Sequence, residues 1–354
     1  MMAGQLLSSA DLSTVHDRVL LDLDGVVYLL GEPIAGAPET IGALRDRGVA
    51  VRFVTNNASR RAEAVADLLC SKGIPADANE VATSAQAAAG LLKQRCSQDG
   101  KVLVLGSDAL AEELDNVGLQ PVRNTRNVQA GEVEAVVQGF GPDLRWADLA
   151  EGAVLIRSGA LWVATNTDLT MPSPRGLLPG NGTLVATIAA AVGRRPDLVA
   201  GKPQRTLFDT AIHGASMPIV VGDRWDTDIA GAAAAELPAL LVLSGATAPA
   251  EVLRIPDGSR PQYLAHTIAG LREVHPEVTV DAAAEMALCG GWKARVDGED
   301  LYLDGNGRSI DALRALSEAA WLVNDRSGKT EVAADVRAVN DEAAGVLREL
   351  SLGS

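Results

Sequence analysis

The chain has 354 residues, of which 47% are hydrophobic and 22% charged, and a formal net charge of -15. This allows two or three ordinary globular domains, and the acidic balance argues against nucleic acid or an anionic membrane surface as a partner. Cys70, Cys96 and Cys289 are too few and too scattered for a disulfide framework or a zinc site.

Residues 1–17 lack the basic start and apolar core of a signal peptide. No apolar run reaches the roughly 18 residues of a membrane span, so a cytoplasmic protein is expected. The first buried strand is predicted in Val19-Leu20-Leu21-Asp22-Leu23-Asp24-Gly25, because an unbroken apolar run suits a parallel strand covered on both faces. Strand alternation would send Asp22 and Asp24 to the same side. Two carboxylates there call for a divalent metal, a shared proton or solvent. Asp24-Gly25 also reads as the turn of a β-hairpin, and the two readings stand side by side at this point.

Helices are predicted at 37–46, 60–72 and 84–94, with a second apolar strand at 49–54 ending in Thr55-Asn56-Asn57. Strands at 102–105, 135–140 and 162–165 alternate with helices at 108–117 and 146–155. A Pro- and Gly-rich loop, 171–182, precedes an Ala-rich helix at 183–192, and further strands follow at 219–221 and 239–243. This alternation predicts an α/β fold with Rossmann-like parallel sheets, one βαβ group inserted within another. From about residue 260 the texture changes. A hairpin around Asp297-Gly298, a turn at Asp304-Gly305-Asn306-Gly307 and helices at 310–322 and 335–350 suggest a small α+β domain.

Three further sites fall at predicted strand ends or helix starts. The Thr55 hydroxyl with the Asn56 and Asn57 amides makes a neutral anion-binding cluster, or else a helix cap. Lys202 stands in Gly201-Lys202-Pro203, where Pro203 could open a helix. No Walker A spacing surrounds it, so the lysine is either a surface charge or the cation that an acidic site needs. Asp223 ends a buried strand as Asp22 does, and Asp226 and Asp228 follow as helix caps or further acids. Ligands of open α/β sheets bind beyond the carboxyl ends of the strands, and several hard carboxylate oxygens there suit Mg²⁺ and a substrate phosphate.

The ordered series Asp22-Leu23-Asp24-Gly25, Thr55, Lys202 and Gly222-Asp223…Asp228 resembles the four motifs of the haloacid-dehalogenase-like (HAD) hydrolases. The short gap from Asp24 to Thr55 and the long one from Thr55 to Lys202 resemble the type IIA cap group, the p-nitrophenylphosphatase and NagD-like phosphatases. Phe53-Val54-Thr55-Asn56-Asn57, Ala164-Thr165-Asn166-Thr167-Asp168 and Pro179-Gly180-Asn181-Gly182 agree with it. With its tail, the chain looks most like actinobacterial glycerol 3-phosphate phosphatases that carry an added C-terminal domain.

The resemblance implies a core from 1–88 and 196–262, an inserted cap at 89–195 and a C-terminal domain at 276–354. It implies that Asp22 attacks phosphorus and that Asp24 serves as general acid and base. Thr55, Asn56, Asn57 and Lys202 would hold the phosphoryl oxygens. Mg²⁺ would be bound by Asp22, the backbone carbonyl of Asp24, Asp223 and Asp228. Arg175, in the cap loop 170–182, is the candidate for recognising the leaving group, or else an exposed loop charge. The implied partner is a small phosphorylated metabolite, glycerol 3-phosphate first, with phosphoglycolate or pyridoxal phosphate as alternatives. A phosphotransferase or mutase, or a non-catalytic regulator, are the rivals from other classes. The tail faintly resembles half of a GNAT acetyltransferase but lacks an Arg/Gln-x-x-Gly-x-Gly/Ala pyrophosphate loop, so a structural or interaction role is expected of it. The oligomeric state is left open, a homodimer included.

Overall fold

The computed structural model describes residues 11–123, 131–298, 300–327 and 335–353. The first ten residues of the stretch read for a signal peptide, and Glu299 at the start of the expected hairpin's second strand, lie outside them. The chain packs into two compact units, one built from residues 1–29, 33–50 and 215–354, the other from 30–32 and 51–214.

In the first unit four short strands run parallel. Arg18–Leu21 pairs with Pro218–Gly222, which pairs with Ala239–Val242, which pairs with Tyr263–Ala265. Val19, Leu20, Leu21, Ile219 and Val221 are fully buried, as expected of strands covered on both faces. The first strand stops at Leu21, shorter than the apolar run suggested. Leu23 O accepts from the Val27 and Tyr28 N–H groups at 2.9 and 3.1 Å, so Asp24 sits on a turn instead of a pleat. Strand alternation therefore does not set where Asp24 points. Nor is Asp24-Gly25 the loop of a two-residue hairpin: Asp24 forms an isolated parallel bridge with Tyr28, and Gly25 adopts φ +86°.

The C-terminal segment is part of this same unit. Its sheet runs in the order Thr279–Asp281, Met286–Cys289, Trp292–Asp297, Asp300–Gly305, Val336–Ala338, and the expected hairpin is the pairing of Trp292–Asp297 with Asp300–Gly305. The helix expected over 335–350 is two elements. Val336–Ala338 pairs in parallel with Leu301–Leu303, and the helix Asp341–Glu349 starts only after Asn340, whose side chain accepts from Ala343 N–H at 2.7 Å. An Asn cap fixes a helix start more firmly than periodicity can.

The helix Ser309–Ser327 binds the tail to the strands. Trp321 Nε1 donates to Val252 O at 2.9 Å, and the Arg260 guanidinium lies 5.1 Å from the Trp321 ring while pairing with Asp325. Arg314, nearly buried, pairs with buried Asp311, donates to Leu264 O on the last parallel strand, and approaches His275 Nδ1 at 2.8 Å. An Arg donor at Nδ1 requires the neutral ring, whose Nε2–H is directed at Gly270 O at 2.8 Å.

The second unit has its own parallel sheet, in the order Leu198–Val199, Leu161–Ala164, Val133–Gln138, Lys101–Leu105, Gln120–Val122. Trp162, Val136 and Ile188 are among the residues at its core. The strand Ala50–Thr55 enters this unit and pairs in parallel with Val81–Thr83. The helices Ser84–Lys93, Asp108–Asn116 and Trp146–Arg157 fall within two residues of expectation. Pro203 does not open a helix. Gln204 N–H closes a turn onto Gly201 O at 3.0 Å, and the next helix begins at Thr206.

Burial, and then the adjacent Arg314 charge, depress the His275 pKa to about 4. An unfolded histidine titrates near 6.5, so this neutral ring stabilises the fold fully above that pH, and the contribution is lost as pH falls toward 4. Wild-type melting temperature is expected to drop more steeply than that of His275→Gln between pH 6.5 and 4.5, the differential being on the order of 2 kcal/mol. Parallel slopes in scanning calorimetry would contradict a half-buried ring held neutral in the fold.

Candidate active site

Three carboxylates converge in the first unit. One ligand atom from each of Asp22, Asp223 and Asp228 lies within 4.8 Å of the others, and Asp223 and Asp228 are buried. Asp22 follows the first strand and still donates its N–H to Val221 O at 2.9 Å, so the neighbouring parallel strand fixes its backbone. Asp223 follows that neighbouring strand. Asp228 returns to it through the wide turn Trp225–Ile229, and its Oδ2 accepts from Arg224 N–H at 3.1 Å. Asp228 therefore closes the turn and faces the cluster, whereas the helix that follows, Ala230–Ala234, has Ile229 at its cap position. Asp226 pairs with the Arg224 side chain at 2.8 Å and is outside the cluster. Asp24 is exposed, and its carboxylate is not one of the three.

Three glycines make room for these acids. A Cβ on Gly222 would fall 2.1 Å from the Asp228 Cβ, and one on Gly25 or Gly245 would fall 2.4 or 2.0 Å from Asp223 Oδ2. No side chain fits at such separations. The loop Ser244–Thr247 was not singled out in the sequence, yet it builds one wall of the site. Ala246 N–H donates to Asp223 Oδ2 at 2.6 Å, Thr247 N–H to Asp223 O at 3.1 Å, and Ser244 Oγ to Gly25 O at 2.6 Å. Its one sequence signal is its place, a Ser-Gly pair just past a buried strand, where open α/β sheets bind ligands. Hard oxygen donors in a pocket cleared of Cβ atoms fit a small divalent cation such as Mg²⁺.

The second unit carries the remaining candidates. Thr55 is buried, and its Oγ1 accepts from Asn57 N–H at 3.1 Å. Asn57 Oδ1 accepts from Ser59 N–H and Oγ, both at 2.7 Å. Lys202 is buried, with Nζ 3.3 Å from Val54 O. Asn56 was expected to face an anion, but its amide is engaged by the protein. Oδ1 accepts from Lys202 N–H at 2.8 Å, and Nδ2 donates to Asp168 Oδ2 at 3.0 Å and Lys202 O at 3.2 Å. Arg175 is exposed at the tip of a hairpin formed by Thr170–Met171 and Leu178–Pro179, its N–H bonded to Ser173 Oγ at 3.1 Å.

Two carboxylates at the ends of parallel strands, with a third brought to them by a turn, form a site suited to a divalent cation. Residues 19–120 match the haloacid dehalogenase-like hydrolase family, 199–271 match the HAD-hydrolase-like family, and 289–352 match the GCN5-related N-acetyltransferase-like domain. The D-glycerol 3-phosphate phosphatase of Mycobacterium tuberculosis is 42% identical over 319 residues, covering 86% of this chain and 86% of that protein. A 5′-nucleotidase of Bacillus subtilis is 36% identical over 233 residues, covering 64% of this chain and 87% of that protein. The crystal structure of a glycerol phosphate phosphatase from M. tuberculosis in complex with magnesium superposes with a TM-score of 0.86 at 37% identity, covering 97% of this chain and 99% of that one. The chain belongs to the HAD-like hydrolases.

Gly245→Ala places a methyl against Asp223 and is expected to weaken Mg²⁺ binding roughly tenfold or more, with the fold retained. Calorimetric titration of the metal-free protein with Mg²⁺ measures this directly, and an unchanged dissociation constant would remove Asp223 from the ligand set.

Proposed function

We propose that this chain is a Mg²⁺-dependent phosphatase that hydrolyses glycerol 3-phosphate through an aspartyl-phosphate on Asp22. The triplet Asp22, Asp223 and Asp228 carries the phosphatase reading, because it joins a nucleophilic carboxylate to a ready site for a divalent cation. The choice of ester is supported by the similarity to the M. tuberculosis enzyme, which spans the C-terminal segment as well as the catalytic motifs.

In this reading an Asp22 oxygen attacks phosphorus as the ester P–O bond breaks, and Asp24 passes a proton to the departing alkoxide. Asp24 then takes a proton from water as that water attacks the phosphorus of the aspartyl-phosphate, which releases inorganic phosphate and restores Asp22. Thr55, Asn57 and Lys202 hold the phosphoryl oxygens as charge redistributes over them. Asp22, Asp223 and Asp228, with the Asp24 carbonyl, would hold Mg²⁺, which supplies positive charge beside that of Lys202 for an anionic ester approaching a protein of net charge -15.

Purified protein with Mg²⁺ is expected to turn over glycerol 3-phosphate with a higher kcat/KM than phosphoglycolate, pyridoxal 5′-phosphate or a nucleoside 5′-monophosphate. A tenfold preference for any of these would replace the substrate while leaving the chemistry. Asp22→Asn should fold and bind Mg²⁺ yet show no turnover, and a few per cent of residual activity would exclude covalent catalysis by Asp22.

Arg175 we assign to the choice among leaving groups. Arg175→Ala is expected to change the ranking of the natural esters several-fold while p-nitrophenyl phosphate turnover stays within about twofold. An unaltered ranking would make Arg175 an ordinary exposed charge.

A further inference from the structure

The amide of Asn56 joins three chain segments that are distant in sequence. It meets both backbone polar groups of Lys202, accepting from its N–H at 2.8 Å and donating to its O at 3.2 Å, and it donates a second time to Asp168 Oδ2 at 3.0 Å. Partners of opposite polarity on either side fix which end of the amide is oxygen and leave Nδ2 no further proton to give. The Asn56 backbone is held as firmly. Its carbonyl accepts from Asn166 Nδ2 at 2.7 Å and Ser84 Oγ at 2.6 Å, and Asn181 Nδ2 donates to Asn166 O at 2.8 Å.

Glycines clear the space for this arrangement. A Cβ on Gly201 would fall 2.5 Å from Asn56 Oδ1. One on Gly180 would fall 2.3 Å from Asp168 O, and one on Gly182 2.1 Å from Thr167 O. None of these three has a left-handed backbone, so close approach is what requires glycine there. The Asn166-Thr167-Asp168 and Gly180-Asn181-Gly182 sequences, to which the proposed reaction gives no task, are thereby accounted for together.

We infer that Asn56 and Asp168 are positioning residues that set the Lys202 peptide, and through it the Lys202 ammonium. This rests on the proposed role of Lys202 in holding the phosphoryl group and adds a function for the segment 166–182. Asp168 orients the amide, the amide clasps Lys202 at both backbone groups, and the side chain leaves from a backbone that cannot rotate. Misplacing a charged group by about 1 Å can cost roughly a hundredfold in rate.

The test exchanges the polarity of the Asn56–Asp168 contact. Asn56→Asp sets a carboxylate against Asp168 and against Lys202 O, Asp168→Asn keeps an acceptor for Asn56, and the double variant restores the donor–acceptor pair between positions 56 and 168 at the original net charge while leaving Lys202 O without its donor. Each protein is assayed for calorimetric binding of inorganic phosphate in Mg²⁺, for kcat and KM on p-nitrophenyl phosphate, and for melting temperature. Asn56→Asp is expected to weaken phosphate binding and to lower kcat/KM roughly tenfold or more, Asp168→Asn to stay within about threefold, and the double variant to recover only part of the loss, because Lys202 O still lacks its donor. Should Asn56→Asp fail to fold, Asp168→Ala, which removes only the acceptor, is expected to weaken phosphate binding roughly threefold. The inference is overturned if Asn56→Asp, or Asp168→Ala in its place, binds phosphate within twofold of wild type, or if the double variant melts like wild type yet stays as weak as Asn56→Asp. A wild-type protein that binds phosphate but hydrolyses no ester would refute the proposed reaction, and the binding series would still decide the clasp.

Discussion

Like charges held close together are the constraint on which the rest of the first unit depends. Asp22, Asp223 and Asp228 bring ligand oxygens within 4.8 Å of one another, where each ionised pair repels by roughly 3 kcal/mol at an effective dielectric of about 20. Surrounding structure must hold them there. Two adjacent parallel strands fix the backbones of Asp22 and Asp223, the five-residue turn after Asp223 brings Asp228 back, and Gly222, Gly25 and Gly245 remove the Cβ atoms that would push the acids apart. The first unit is thus a scaffold assembled at some cost in stability, and the cost is offset whenever positive charge enters the cluster.

The second unit solves a different problem, that of fixing a flexible lysine in a buried setting. A four-carbon side chain loses substantial entropy when it is ordered, and anchoring its backbone shortens the path over which error accumulates. Asn56 does this with one amide. The surrounding asparagines and glycines satisfy buried polar groups and leave the chain little freedom to rearrange. Buried polar networks of this kind specify geometry more than they add stability.

The C-terminal segment matches a GNAT-like family and does not stand apart from the strands of the first unit. Its glycines pack the segment closely on itself. A Cβ on Gly305 would strike Gly291 O at 2.3 Å and one on Gly307 would strike Gly290 O at 2.5 Å. The Gly-x-Gly turn before the long helix is therefore packed against a neighbouring turn, and the first turn of that helix is occupied by Asp311 with Arg308 and Arg314. The buried pair Asp311–Arg314 and neutral His275 tie the helix to the last parallel strand. Packing accounts for these contacts.

Much of this was legible in the chain. Apolar runs ending in Asp22 and Asp223 marked buried parallel strands, because only strands covered on both faces tolerate unbroken hydrophobicity, and helix limits such as Ala37–Asp46 followed from periodicity and stop signals. The ordered motifs identified the family. Tertiary structure alone decided the rest. Asp24 sits on a turn instead of a pleat because Leu23 O takes the Val27 and Tyr28 N–H groups. Ser244–Thr247 belongs to the site because the sheet sets its loop beside Asp223. Asn56 clasps Lys202, where the sequence suggested a phosphate ligand, because its amide meets Asp168 and the Lys202 peptide first. Local pattern records which residues are buried and which element they form. The partner a polar group finds depends on segments more than a hundred residues away, and hydrogen bonds of a few ångströms carry no trace of that distance into the sequence.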